Sequence, residues 1–212
     1  MSWFIFGALP VSELTVKPQL GDTVIAADKG IETVQKFGLV PNKIIGDFDS
    51  LGFVPQSGAV LQLPVRKDDT DVGYALRYAI ENGAKQIFIY GAMGGKIDHT
   101  LANLQLCAAA AKQGVRVYLL SETQCAAALC CGTLYFPVSK GRISVFCHGE
   151  KASGVTLRGL SYELDNAELS ADFPLGVSNE FIDAPAEITV ANGTLLLIWE
   201  SGIFPLENEI DP

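Results

Sequence analysis

Short apolar runs recur along the first part of the chain and alternate with helical patterns. WFIF (3–6), TVIAA (23–27), NKIIG (42–46), AVLQL (59–63), KQIFIYG (85–91) and VRVYLL (115–120) are mostly β-branched or aromatic, which predicts strands. Between two pairs of them the period changes. Residues 71–82 place Val72, Leu76, Ala79 and Ile80 at helical spacing and close on Gly83; residues 99–113 place Leu101, Leu104, Ala108 and Ala111 on one face and close on Gly114. A glycine just past the last turn is a natural helix stop. Strand and helix in alternation predict an α/β fold, a mainly parallel sheet with helices on both faces.

After about residue 122 the helical period disappears. RISVFCHG (142–149), GVTLRGL (154–160), AEITVAN (186–192) and TLLLIWE (194–200) read as strands, and Asn192-Gly193 between the last two reads as a two-residue hairpin turn. The second part is therefore expected to be a smaller all-β sandwich or barrel. No Pro- or Ser-rich linker marks the join, which falls between residues 121 and 130; the division taken is 1–124 and 125–212.

Composition narrows the function classes. The 212 residues are 49% hydrophobic and 18% charged, an ordinary globular balance, with 24 acidic against 15 basic residues and a net charge of −9. No Lys/Arg block is present to displace phosphate counterions, so a nucleic-acid partner is not expected. The five cysteines lack a paired CxxC spacing, so neither a disulfide framework nor a zinc site is expected; they read as small hydrophobes in a reducing compartment. MSWFIFGALP is too short in its apolar run, and lacks the basic start, for a signal sequence. No stretch approaches the roughly 18 apolar residues of a membrane span. A cytoplasmic protein is expected.

The candidate chemistry sits just after the predicted strands. Asp28 follows TVIAA; Asp47 and Asp49 follow NKIIG in GDFDS; Asp68, Asp69 and Asp71 lie in DDTD before a helix; Gly91, Gly94, Gly95, Lys96, Asp98 and His99 lie in GAMGGKIDH between a strand and a helix. Each motif has a plain structural explanation. Asp and Ser make turns, Thr70 or an Asp caps a helix, Asp98 caps another, and His99 bonds Asn103 one turn on. Each also has a functional one. Residues i and i+2 of an extended chain point the same way, so Asp47 and Asp49 can converge on one cation. Three acids in DDTD repel unless Arg66, Lys67 or a metal sits among them. The glycines can turn N–H groups toward an anion at a helix start, although the spacing is not that of a Walker A loop. Their shared position at the carboxyl ends of strands, where open α/β sheets bind ligands, favours the functional explanation. The acidity then fits phosphates accompanied by divalent cations.

Taken in order, AADKG, PNKIIGDFDSLG, KDDTD, GAMGGKIDHTLANLQL and VSNEF (177–181) closely resemble the motifs of the thiamine pyrophosphokinase family over nearly the whole chain. The resemblance implies transfer of a pyrophosphoryl group from ATP to the thiamine hydroxyl, giving thiamine diphosphate and AMP. It implies that Asp47, Asp49 and Asp71 hold Mg²⁺ against the ATP phosphates. Asp28, Asp68, Thr70, Gly94, Gly95, Lys96, Asp98, His99 and Asn103 would complete the polar site, with Asp69 at a variable place. Ser178 and Asn179 would meet the thiamine pyrimidine. A homodimer is implied, with the site between the α/β domain of one subunit and the β domain of the other. Either Asp71 or Asp98 could accept the hydroxyl proton. Two residues depart from the family pattern, Lys29 for Gly and Lys96 for Arg; the latter keeps the charge but loses the planar fork that grips phosphate oxygens in two places. The competing readings are a pyrophosphokinase acting on another alcohol such as a hydroxymethylpterin, a metal-dependent phosphohydrolase, and a non-catalytic thiamine- or nucleotide-binding module.

Overall fold

The computed structural model describes residues 1–49, 51–55, 59–65 and 68–206. Ser50 of GDFDS, and the Arg66 and Lys67 considered as counter-charges, lie outside the described residues. The chain divides into two compact units, Met1–Glu122 and Thr123–Pro212.

In the first unit six strands, β1 (Trp3–Phe6), β2 (Thr23–Ala27), β3 (Lys43–Gly46), β4 (Val60–Gln62), β5 (Gln86–Tyr90) and β6 (Arg116–Leu120), pair in the order β4-β3-β2-β1-β5-β6. Every pairing recorded among these six is parallel. Parallel strands need crossover connections. Three helices lie in these connections, α1 (Gly30–Lys36), α2 (Asp71–Glu81) and α3 (Ile97–Ala111). The seven-residue α1 is not evident in the hydrophobic pattern, because it offers under two turns of periodicity. β1 and β5 are buried almost throughout, and Phe4, Phe88 and Tyr118 stack in series across β1, β5 and β6 at 5.1 and 5.4 Å between centroids. Fully burying each such side chain contributes about 1.5–3 kcal/mol, so this apolar spine anchors the strand ends that carry the polar residues.

The second helix ends as its sequence suggests, with Asn82 as its last cap and Gly83 at φ 89. The third is rotated from expectation. Its buried residues are Asn103, Cys107, Ala108 and Ala110, whereas Leu101 is 54% exposed. Alanine at 102 and 108–111 leaves the helix without one distinct apolar stripe, so spacing alone does not fix which side faces the sheet. The small side chains allow α3 to pack on β6.

The second unit is strand-rich, built from β7 (Gln124–Arg158), β8 (Leu164–Ser170) and β9 (Gly176–Glu200). Residues 124–136 run antiparallel to residues 186–200, and the same part of β9 pairs along its other edge with residues 143–148 and 153–158. The expected hairpin at Asn192-Gly193 does not form. Register passes from Cys130↔Thr194 to Gly132↔Val190, so the chain continues in one direction through a bulge. Gly193, at φ 97, supplies the left-handed residue there, and a Cβ on it would come within 2.7 Å of the Lys151 carbonyl oxygen. Asn-Gly favours positive φ in a bulge as readily as in a turn. Phe136 packs on Phe181 and Trp199 at 5.2 and 5.5 Å.

Two glycines of the first unit provide a test. A Cβ on Gly30 would collide with the backbone carbonyl of Phe6, while Gly38, at φ 66, has open space around it. Gly30→Ala is expected to lower unfolding free energy in urea by about 3 kcal/mol, the upper end of the overpacking range, through forced separation of α1 from β1. Gly38→Ala should cost only about 1–2 kcal/mol, the strain of a left-handed alanine. Equal losses would contradict the close approach.

Candidate functional site

Strand order reverses beside β1, which pairs with β2 on one edge and β5 on the other. At such a switch point the loops leaving the carboxyl ends diverge and open a crevice. A cleft of about 390 Å³ lies there, lined by Ala8 and Leu9 after β1, Asp28 after β2, and Gly91 and Ala92 after β5. Thr70, Asp71 and Val72 at the start of α2 and Gly95, Lys96, His99, Thr100 and Asn103 at the start of α3 complete it. The volume falls in the range of small-ligand pockets. Gly7 and Gly91 hold its floor tight, since a Cβ on Gly7 would lie 2.7 Å from the Gly91 carbonyl oxygen.

Beside the cleft, Asp28, Asp47 and Asp49 each offer an oxygen within 4.8 Å of the others. Their convergence does not come from an extended chain. Phe48, between the two aspartates, takes left-handed backbone at φ 62 and is only 2% exposed. Such a conformation costs about 1–3 kcal/mol, which burial of a phenylalanine ring, at about 1.5–3 kcal/mol, offsets. The turn is tied by Asp49 N–H donating to Asp47 Oδ1 at 3.2 Å and by Leu51 and Gly52 N–H donating to the Phe48 carbonyl. Asp28 is also left-handed, at φ 47, with its N–H donating to the Ile45 carbonyl at 2.8 Å. Gly46 makes room: a Cβ there would lie 3.1 Å from Asp28 Cα.

Asp28 is 6% exposed, and its Oδ1 is buried without a hydrogen-bond partner. A buried carboxylate oxygen left unpaired is costly unless a cation meets it. Three carboxylate oxygens are the hard donor set that Mg²⁺ or Ca²⁺ takes, so these residues fit a divalent ion. Asp28 joins Asp47 and Asp49 in this cluster, and Asp71, which the resemblance adds to the metal ligands, lines the cleft beside Asp28.

The remaining candidates separate by their contacts. Thr70 is the N-cap of α2, its hydroxyl accepting from Gly73 N–H at 3.0 Å. Asp69 pairs with Arg77, and Arg77 also lies 4.8 Å over the Tyr74 ring. Arg77 is the counter-charge that sequence reasoning missed; eight positions away and two turns into the helix, it left no signal in the motif. Asp68 is exposed. Asp98 does not cap α3. That cap position belongs to Lys96, and Asp98 Oδ1 accepts from His99 N–H at 2.9 Å. The expected His99–Asn103 bond is replaced by Asn103 Nδ2 donating to the Ala92 carbonyl at 2.6 Å, which leaves Asn103 Oδ1 buried without a partner. Gly94 N–H donates to the Thr100 hydroxyl at 3.3 Å. Lys29 is the cap residue of α1, without a side-chain cap bond. In the second unit Asn179 is buried and closes the backbone of Tyr162 in both directions, its Oδ1 accepting at 2.9 Å and its Nδ2 donating at 2.7 Å. Ser178, exposed and at φ 57, donates its N–H to the Ser144 hydroxyl.

Comparison with known proteins assigns this arrangement to a family. The model for the thiamin pyrophosphokinase catalytic domain matches residues 19–119, and that for the thiamin pyrophosphokinase vitamin B1 binding domain matches residues 137–195. The chain belongs to the thiamine pyrophosphokinase family. A thiamine pyrophosphokinase of Bacillus subtilis (strain 168) is 29% identical over 182 residues, 82% of this chain and 85% of that protein. The crystal structure of the Bacillus subtilis thiamine pyrophosphokinase matches with a TM-score of 0.84 at 27% identity, over 94% of this chain and 99% of that one. The thiamin pyrophosphokinase of Geobacillus thermodenitrificans matches at 0.82 and 26% identity, over 95% and 98%. The Candida albicans thiamin pyrophosphokinase, at 12% identity and a TM-score of 0.72 over 94% and 88%, shares the fold. The first family match includes the aspartate cluster and every lining residue of the cleft from Ala27 onward; the second includes Ser178 and Asn179.

Asp28 gives a direct check on the cluster. In chelator, Asp28→Asn is expected to raise the thermal midpoint by a few degrees, because relief of about 1 kcal/mol of repulsion shifts Tm by ~2–4 °C and Asn tolerates left-handed backbone. A lower midpoint would show that the Asp28 carboxylate is satisfied without a cation.

Proposed function

We propose that this chain transfers the pyrophosphoryl group of ATP to the thiamine hydroxyl, releasing AMP and thiamine diphosphate. The observation that carries the proposal is the trio Asp28, Asp47 and Asp49 beside a cleft at the switch point, in a chain of this family. A parallel sheet covered by helices on both faces is the scaffold this reading assumes.

These three residues would hold Mg²⁺, which when bound neutralises charge on the phosphate oxygens. Pyrophosphoryl transfer asks the protein mainly for positioning and charge compensation. Gly95 and Lys96, at the start of α3 and in the cleft wall, are suited to bind phosphate through backbone N–H groups and an ammonium. His99 and Asn103 line the same wall, and the unpartnered Asn103 Oδ1 can accept a hydrogen bond from the nucleotide or from water. Of the two carboxylates considered for the hydroxyl proton, Asp71 lines the cleft, whereas Asp98 is exposed and outside its lining. Asp71 is therefore assigned as the acceptor. Thr70 orients it by capping the helix that begins there. Asp68 and Gly94 stand at the margin as supporting residues.

The second unit would hold thiamine near Ser178, with Asn179 fixing the local backbone through Tyr162. A cytoplasmic homodimer, in which the second unit of one subunit completes the site of the other, is part of the reading. Among the described residues no helix is long and apolar enough to cross a membrane.

The test is a product assay with ATP, Mg²⁺ and thiamine. AMP and thiamine diphosphate should appear in equal amounts, and Asp47→Asn or Asp49→Asn should reduce both by at least about 100-fold. Asp71→Asn should lower kcat far more than Asp98→Asn. Inorganic phosphate formed without an acceptor, or full activity in the Asp47 and Asp49 variants, would refute the assignment.

A further inference from the structure

Cys130 and Cys131 are consecutive residues of β7, and consecutive strand residues ordinarily send their side chains to opposite faces. Here the two Sγ atoms lie 3.9 Å apart. The bulge causes this: Cys131 takes left-handed backbone at φ 46 where the register with β9 slips. Such backbone costs about 1–3 kcal/mol in a non-glycine residue and persists only where the surroundings hold it. Gly193 faces it, with its carbonyl oxygen 3.8 Å from Cys131 Sγ. Cys131 is exposed and Cys130 partly so. In register with Cys130, on the same face, the Thr194 hydroxyl is buried without a hydrogen-bond partner.

The other thiols are in different surroundings. Burial pushes Cys107 up to about 12 and Cys125 up to about 11, and it raises Cys147 as well. All three are held in the less reactive thiol form.

We propose that Cys130 and Cys131 form a dithiol pincer that chelates a thiophilic trivalent metalloid, with a monosubstituted arsenical as its simplest ligand. Each S–H bond is exchanged for an As–S bond. The arsenical oxygen leaves as water with the two thiol protons, and neither sulfur nor arsenic changes oxidation state. Closing the second bond is intramolecular, so the chelate resists a monothiol that would strip a single As–S bond. This site is separate from the residues assigned to ATP and does not depend on the transferase reading.

The experiment treats the full chain with phenylarsine oxide, washes with excess 2-mercaptoethanol, and measures intact mass. One arsenical per chain should be retained and then removed by 2,3-dimercaptopropanol. Cys130→Ser and Cys131→Ser should each lower the retained fraction by about 100-fold, while Cys147→Ser should leave it unchanged. Should a left-handed serine at 131 prevent folding, Cys130→Ser and Cys130→Ala carry the same comparison. Absence of a monothiol-resistant adduct on the unmodified sequence, or an adduct that survives loss of Cys130, would overturn the proposal.

Discussion

Like charges held close together set the terms for the first unit. Asp28, Asp47 and Asp49 bring carboxylate oxygens within 4.8 Å of one another. At an effective dielectric near 20 an unscreened pair at that distance would cost about 3–4 kcal/mol, and solvent at the half-buried Asp47 and the exposed Asp49 brings the net repulsion on Asp28 down to about 1 kcal/mol. Asp28 adds a buried oxygen without a partner. A chain selected only for stability would replace such groups with amides or apolar residues. Their retention, on backbone that is itself strained at Asp28 and Phe48, is what the proposed divalent cation would account for, since a positive ligand reverses the sign of the interaction.

The scaffold bears this load because it is rigid where the strands end. Gly30 lets α1 start against the Phe6 carbonyl, and Gly7 and Gly91 let the chains leaving β1 and β5 touch. Gly7 N–H donates to the Tyr90 carbonyl at 2.7 Å, and the Tyr90 hydroxyl takes the Val16 N–H at 2.8 Å, which ties the strand end to the β1–β2 connection. Arg77 pairs with Asp69 and Asp68 is exposed, so of the three acids in DDTD it is Asp71 that lines the cleft.

Much of this is legible in the amino-acid sequence. All six strands of the first unit and the helices before Gly83 and Gly114 follow from apolar runs and stop residues, because a buried parallel sheet leaves a strong local signature. The acidic motifs announced their place at strand ends. What stayed hidden depends on distant or ambiguous contacts. Asp28 joins Asp47 and Asp49 through the pairing of β2 with β3, which no local window contains. The face of α3 could not be read because alanines surround it, and Arg77 reaches Asp69 across two helical turns. Asn192-Gly193 carried a true signal for positive φ but not for direction: the flanking segments found partners on both edges and continued. The tie between the Asn179 amide and the Tyr162 backbone, 17 positions away, is likewise invisible to any local window.

The central claim is that the strand-end carboxylates and the nucleotide share a divalent cation. Linkage makes this measurable, since an ion bridging protein and ATP must tighten the binding of both by the same factor. Calorimetric titration of ATP into the protein, with Mg²⁺ and then with chelator, is the most direct measurement. Binding at least about 10-fold tighter with Mg²⁺, a coupling of about 1.4 kcal/mol, that disappears in Asp28→Asn is the predicted result. Equal ATP affinity with and without Mg²⁺, or coupling unchanged by loss of the Asp28 carboxylate, would contradict the account.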